Sequence, residues 1–192
     1  MSDKYSAYAS LAAGEVRGTD FDIRVVDLGS RVAIIAPHGG LIEPGTSPIA
    51  ETIAADTRSF YAFEGLRKRP HRELHITSSR FDEPSALALL AGAEVAVAIH
   101  GRVDEDDPDT IWVGGLALAL RNAIIASLMA AGFRAESAMT RLTGLAPANI
   151  CNRGTSGQGV QLEIPWSVRQ SLRADKAAML TFCTAVRAAL PD

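Results

Sequence analysis

The chain predicts an open α/β sheet, mixed but mostly parallel, with helices on both faces. Two observations carry this. The runs Arg31–Pro37 (RVAIIAP) and Glu94–Ile99 (EVAVAI) are apolar almost throughout, as strands covered on both faces are. Helix-patterned segments separate the strand candidates, the alternation that builds βαβ units. The size is that of one domain: 192 residues, 47% hydrophobic and 21% charged, close to an average globular chain. We read residues 1–192 as a single domain, with residues 1–20 as a short helix or an arm.

In chain order, Asp22–Leu28 and Arg31–Pro37 flank Gly29-Ser30, which reads as a hairpin. Pro48–Arg58 reads as a helix. Ser59–Phe63 and Glu73–Thr77 read as strands. Glu83–Ala91 reads as a helix that Asp82 caps. Glu94–Ile99 is the second buried strand, and Thr110–Val113 a short one. Leu116–Ala131 is the longest helix, closed by Gly132. Arg134–Met139 and Gly159–Ile164 are strands, and Lys176–Leu190 is the terminal helix.

Composition narrows the function. A formal net charge of −3 gives no global positive field, so nucleic acid is not an expected partner. No apolar run is long enough to span a bilayer. Met1–Arg17 lacks a basic segment followed by an apolar core, so a secretory signal is not expected and the cytoplasm is the expected location. Two cysteines make no disulfide framework, and Cys183 falls in an apolar helical pattern as a buried thiol.

In open α/β sheets ligands bind beyond the carboxyl ends of the strands. Two of the four histidines fall there. His38 follows Arg31–Pro37 within Pro37-His38-Gly39-Gly40, and His100 closes Glu94–Ile99 before Gly101. They are either unrelated strand-end residues or partners. Glu43 adds weight to partnership, because two imidazoles and a carboxylate suit one zinc ion with a position left for water. Pro44 and the two glycines forbid a helix here, so the loop has to fold back to aim both groups at one point. In Gly159–Ile164 the residues alternate, which puts Glu163 at the end of a largely apolar strand. It is either solvent-facing on an edge strand or a general base for zinc-activated water.

Together, His38-Gly39-Gly40-x-Ile42-Glu43-Pro44-Gly45-Thr46, His75-Ile76-Thr77-Ser78, Phe81-Asp82-Glu83-Pro84, His100-Gly101, Asn152-Arg153-Gly154 and Gly159-Val160-Gln161-Leu162-Glu163 resemble the phage-type poly-γ-glutamate hydrolase family, also labelled phage-related replication proteins. The resemblance covers about Tyr5 to Ala189. It implies a zinc carboxypeptidase-like open α/β fold, cleavage of γ-glutamyl amide bonds, and one zinc ion. Carried over by motif, His38, Glu43 and His100 hold the metal and Glu163 is the base. Zinc carboxypeptidases place the ligating His and Glu three apart, whereas here they stand five apart.

The other candidates are weaker. His75 is expected to orient a ligand rather than bind the metal. Arg153, in a glycine-rich loop, and Arg80 are candidates for binding the free α-carboxylate of a γ-glutamyl unit, since guanidinium matches carboxylate with a planar fork. The basic run Arg67, Lys68, Arg69, His71, Arg72 is expected to be a solvated face, with attraction of an anionic polymer as its functional reading. The acidic run Asp104–Asp109 is expected to be a solvated loop pointing away from the site. A cysteine-hydrolase reading of Cys151 explains fewer residues than zinc does, and no phosphate-binding loop supports an ATP-driven role. The expected activity is therefore a zinc amidohydrolase acting on an anionic γ-glutamyl polymer. The alternatives are an N-acyl amino-acid amidohydrolase with a small substrate, and a non-enzymatic phage-derived accessory protein on the same fold.

Overall fold

The computed structural model describes residues 3–67 and 71–191, without the side chains of His71 and Arg72. Seven strands form one open sheet: β1 (Phe21–Val26), β2 (Val32–Gly40), β3 (Ser59–Gly65), β4 (Val95–Arg102), β5 (Ile111–Gly114), β6 (Ala135–Ser137) and β7 (Val160–Pro165), in the order β1-β3-β2-β4-β7-β5-β6. The β1/β3 and β5/β7 pairs are antiparallel. The other four pairs are parallel, so the sheet is mixed and mostly parallel as expected.

Helices cover both faces. Val32, Ile34 and Ala36 of β2 face α2 (Thr46–Ala54), α4 (Leu118–Ala130), α5 (Trp166–Ala174) and α6 (Lys176–Ala188). Ala33 and Ile35 face α1 (Tyr8–Gly14) and α3 (Pro84–Gly92). Successive side chains of one strand thus feed two cores, the reason its sequence is apolar without alternation.

The Gly29-Ser30 hairpin does not form, because β3 lies between β1 and β2. The division follows burial. β2 is apolar on both faces and needs a neighbour on each side, and β3, buried except at Glu64, supplies one. β1 buries only Phe21 and Ile23 fully, so it takes the outer edge. The connecting loop is held instead by Ser59 Oγ, which accepts from the Leu28 and Ser30 amides at 3.1 and 3.3 Å.

Glu73–Thr77 is not a strand. A 3₁₀ turn at His71–Leu74 runs into irregular backbone. Its polar groups go to side chains: the Ile76 carbonyl accepts from His38 and the Thr77 amide donates to Asp3. Glu83, not Asp82, caps α3 by accepting from the Ala86 amide at 2.9 Å, while Asp82 accepts from the Tyr8 amide. At the end of α4, Gly132 has φ +89° and the Phe133 amide returns to the Leu128 carbonyl at 3.0 Å, as expected of a glycine cap. α5 was not foreseen, because its two buried residues are Arg169 and Leu172 and leave little apolar signal.

β2, β4 and β7 are adjacent and mutually parallel, so their carboxyl ends open at one edge. Just before β7, Gly159 admits the 151–152 turn at close range. A Cβ there would stand 1.8 Å from the Cys151 carbonyl oxygen and 2.7 Å from that of Ala96, both backbone. Gly159→Ala should therefore lower stability by about 2 kcal/mol or more in urea unfolding. Gly92→Ala, which meets nothing within 4 Å at the end of α3, should be neutral or stabilising.

Candidate metal centre

His38 leaves β2 at an irregularity. The β2/β3 register shifts between Ala36 and Gly39, around Pro37, which has no amide to give the ladder. Gly39 and Gly40 then let the chain double back. A Cβ on Gly40 would lie 2.3 Å from the Gly65 carbonyl oxygen, and its φ is +62°. The Glu43 amide closes the loop onto the His38 carbonyl at 2.9 Å. This is the fold-back the spacing requires.

Three groups converge at this edge. His38 Nδ1 lies 3.1 Å from Glu43 Oε1 and 3.1 Å from His100 Nδ1, and His100 Nδ1 lies 3.6 Å from Glu43 Oε2. Both histidines are buried and Glu43 is mostly so. His38 Nε2 sits 2.8 Å from the Ile76 carbonyl oxygen. A carbonyl only accepts, so Nε2 carries a proton and Nδ1 is the nitrogen that faces the cleft. Glu43 Oε2 accepts from the Gly101 amide at 2.8 Å, which fixes the carboxylate. Two imidazole nitrogens and a carboxylate thus converge on one point, a set of side chains that suits a divalent cation. Burial opposes ionisation of Glu43, but the two imidazoles win and hold its carboxyl well below the usual range.

A second triad shares His38 and Glu43 but takes His75 as third member, its ligand atoms within 4.8 Å of one another. Tetrahedral zinc with bonds of about 2.0–2.2 Å sets ligand atoms about 3.3 Å apart. The His100 triad matches that spacing. His75 packs on the His38 ring at a centroid distance of 4.0 Å, and its Nδ1 is 2.7 Å from Asp3 Oδ1. Burial and the neighbouring His38 push the His75 pKa down to about 4, against the pull of Asp3. His75, neutral near pH 7, thus packs beside His38, within reach of the same group of ligand atoms.

Glu163 stands opposite His100 in the β4/β7 register and is buried. Its Oε1 accepts from Gln161 Nε2 at 2.9 Å, and Asn149 Nδ2 donates to Gln161 Oε1 at 2.9 Å. Burial, and then the charge of Glu43, push the Glu163 pKa well above the usual carboxylate value. Glu163 and the three converging groups line one cleft of about 460 Å³.

Arg169, unforeseen, ties the edge together. Its guanidinium donates to the carbonyls of Ile164 at 3.1 Å, Pro44 at 2.7 Å and Arg102 at 3.0 Å, so one buried side chain holds the ends of β7 and β4 to the Glu43 loop. Gly101 makes room for it, since a Cβ there would lie 2.3 Å from Arg169 Cζ.

Arg153 and Arg80, the arginines expected to bind a substrate carboxylate, do not line the cleft. The Arg153 loop packs at the amino end of β4, where Thr155 and Ser156 donate to the carbonyls of Ala93 and Glu94. Its glycines serve backbone contact: a Cβ on Gly154 would meet the Glu94 carbonyl oxygen at 2.6 Å. Arg80 is paired with Asp3 at 2.7 Å. The arginines that do line the cleft are Arg102 and Arg141. The acidic run does not point away from the site either. Glu105 lines the cleft, Asp107 accepts from Arg102, Thr110 and Trp112, and Asp104 accepts from Ser167 at the start of α5. Cys151 and Cys183 are free and buried, and burial pushes both thiols up to about 12, far from the thiolate a cysteine hydrolase needs. Arg67 pairs with Glu15 at 2.9 Å. Lys68, Arg69 and the side chains of His71 and Arg72 lie outside the described residues.

Comparison with known proteins sets this geometry in a family. The model of the family described as poly-gamma-glutamate hydrolase matches residues 5–179. The chain belongs to this family. It is 40% identical over 173 residues to the SPbeta prophage-derived UPF0714 protein YoqZ of Bacillus subtilis strain 168, covering 89% of this chain and 62% of YoqZ, so it spans less than two thirds of that relative. It superimposes on a bacteriophage poly-gamma-glutamate hydrolase with a TM-score of 0.92 at 34% identity, covering 98% and 96% of the two chains. It superimposes on a zinc-free apo structure of YndL with a TM-score of 0.90 at 32% identity, covering 98% and 97%. The zinc carboxypeptidase-like sheet expected from the resemblance is thus the fold of this chain. Among the described residues no helix is long and apolar enough to cross a membrane.

The Glu163 environment makes a stability prediction for metal-free protein. An unfolded glutamate releases its proton near 4.5, whereas the buried one keeps it far higher. The folded state therefore binds more protons above that pH, and the contribution of Glu163 is complete below 4.5 and lost as pH rises. Glu163→Gln should stabilise metal-free protein at pH 7, since glutamine leaves no charge to bury. The gain should vanish near pH 4, as read from urea midpoints.

Proposed function

We propose that this chain is a zinc-dependent hydrolase of γ-glutamyl amide bonds, with His38, Glu43 and His100 holding one ion and Glu163 as acid–base group. The observation that carries the reading is the convergence of two imidazole nitrogens and a carboxylate at 3.1–3.6 Å, with a high-pKa carboxyl at the register partner of His100. The family model and the zinc-free description of the YndL structure support it.

A zinc ion held there supplies Lewis acidity, polarising the amide carbonyl and acidifying water. The residues supply the rest. The Ile76 carbonyl and the Gly101 amide keep His38 and Glu43 aimed without reorganisation. Glu163 Oε1 is held by Gln161, which leaves Oε2 to take the proton from the attacking water. The same oxygen then returns that proton to the departing amine, since an amide nitrogen leaves poorly unprotonated. Its raised pKa suits the carboxyl to hold the transferred proton between the two steps. The products are a γ-carboxylate and a free amine.

Two sets of measurements test this. His38→Ala and His100→Ala should each lose stoichiometric zinc by elemental analysis, because two remaining ligands rarely hold the ion, whereas His75→Ala should keep it. Glu163→Gln should retain zinc and KM but lose about 10²-fold or more in kcat. Zinc-loaded wild type should shorten poly-γ-glutamate, read by size-exclusion chromatography. Turnover of N-acyl amino acids alone would favour the small-substrate amidohydrolase. A chain that takes up no stoichiometric zinc is not this hydrolase.

A further inference from the structure

At the mouth of the cleft the acidic run and the loop after β6 meet in one ion pair. Arg141 Nη1 donates to Glu105 Oε1 at 3.0 Å and Nη2 donates to Oε2, a guanidinium fork on a carboxylate fork. Both residues line the cleft beside His38, Glu43, His100 and Glu163, and about half of each side chain is exposed. Of the two arginines lining the cleft, Arg102 has its terminal nitrogens committed to the carbonyls of Val103, Asp104, Asp107 and Thr110. Arg141 alone has a partner that solvent or solute can replace.

The pair is not explained by stability. Glu105 has φ +47° and Leu142, next to Arg141, has φ +54°, two of the three non-glycine residues in the left-handed region among the described residues. Such backbone costs more than a half-exposed ion pair usually returns. Strain gathered on both sides of one contact at a cleft mouth points to function. The loop is also registered against the acid–base group. Gln161 Nε2 donates both to the Leu142 carbonyl at 2.8 Å and to Glu163 Oε1 at 2.9 Å. Trp112, the register partner of Glu163, lies beneath the Arg141 guanidinium, 5.1 Å from its carbon.

We propose that Arg141 anchors a substrate carboxylate and that Glu105 is its built-in competitor, displaced when substrate enters. This rests on the γ-glutamyl reading above. Each residue of a γ-linked glutamyl chain carries a free α-carboxylate, the same planar two-oxygen group that Glu105 presents to the fork. The exchange therefore replaces one charge-assisted pair with another and selects against amides that lack the carboxylate. Glu105 also weakens every productive complex by the strength of the pair that must be broken.

The test compares zinc-loaded wild type, Arg141→Gln, Arg141→Lys, Glu105→Gln and the double variant. The substrates are a γ-glutamyl oligomer and its α-amidated counterpart. Arg141→Gln should raise KM for the oligomer about 10-fold or more, leave kcat largely unchanged, and leave the amidated oligomer unaffected. Arg141→Lys should recover part of the loss. Glu105→Gln should lower KM by up to about fivefold, the worth of an exposed pair, and have no effect once Arg141 is replaced. Equal effects on both substrates, or an unchanged KM in Arg141→Gln, would overturn the anchor while leaving the hydrolase reading standing. An independent readout uses metal-free protein carrying Trp166→Phe, which leaves Trp112 as the fluorophore. The oligomer should give a saturable change that Arg141→Gln abolishes and Glu105→Gln tightens. That result without any hydrolysis would keep the anchor and remove the hydrolase reading, and a titration indifferent to Arg141 would remove the anchor.

Discussion

The structure depends on one local convergence: two buried imidazole nitrogens and a carboxylate aimed at a single point. His38 cannot turn away, because its other nitrogen is tied to the Ile76 carbonyl, and Glu43 is pinned by the Gly101 amide. Polar groups brought this close and removed from water keep their places only where the surrounding chain holds them. The rest of this edge serves to maintain the convergence. The Gly39-Gly40 fold-back, the tilted ring of His75 against His38 and the three-carbonyl grip of Arg169 each remove a way for it to relax.

The sheet supplies the geometry that makes this possible. β2, β4 and β7 run side by side in one direction, so His38, His100 and Glu163 emerge at the same edge. Glu163 belongs to the other half of the chemistry. It sits in the same buried cleft, yet its pKa moves up while that of Glu43 moves down. Both carboxyls feel burial. Glu43 has two imidazoles to offset it, and Glu163 has the repulsion of Glu43 added to it. Two carboxyls with opposed environments are what the proposed division between a ligand and a proton carrier requires.

Much of this was legible in the sequence. A polar residue at the end of an apolar run, beside glycine, marked His38 and His100, and period-two alternation marked Glu163. What failed did so for want of long-range information. Gly29-Ser30 is a sound local turn signal, but it cannot report that β3 is better suited than β1 to lie against β2. The glycines around Arg153 signal close approach, and in the fold that approach is backbone to backbone at the far end of β4. Arg169 was invisible because a buried arginine on a polar helix looks like surface. Glu105 and Arg141 lie 36 residues apart, and the acidic run looked solvated because its partners are distant in sequence.

X-ray absorption at the zinc edge, on protein loaded with one equivalent of zinc, tests the central claim most directly. The account predicts two imidazole nitrogens and oxygen donors at about 2.0–2.2 Å, with one imidazole lost in His100→Ala and none lost in His75→Ala. Three imidazoles, a sulfur at about 2.3 Å, or a spectrum that His75→Ala changes and His100→Ala does not, would contradict it.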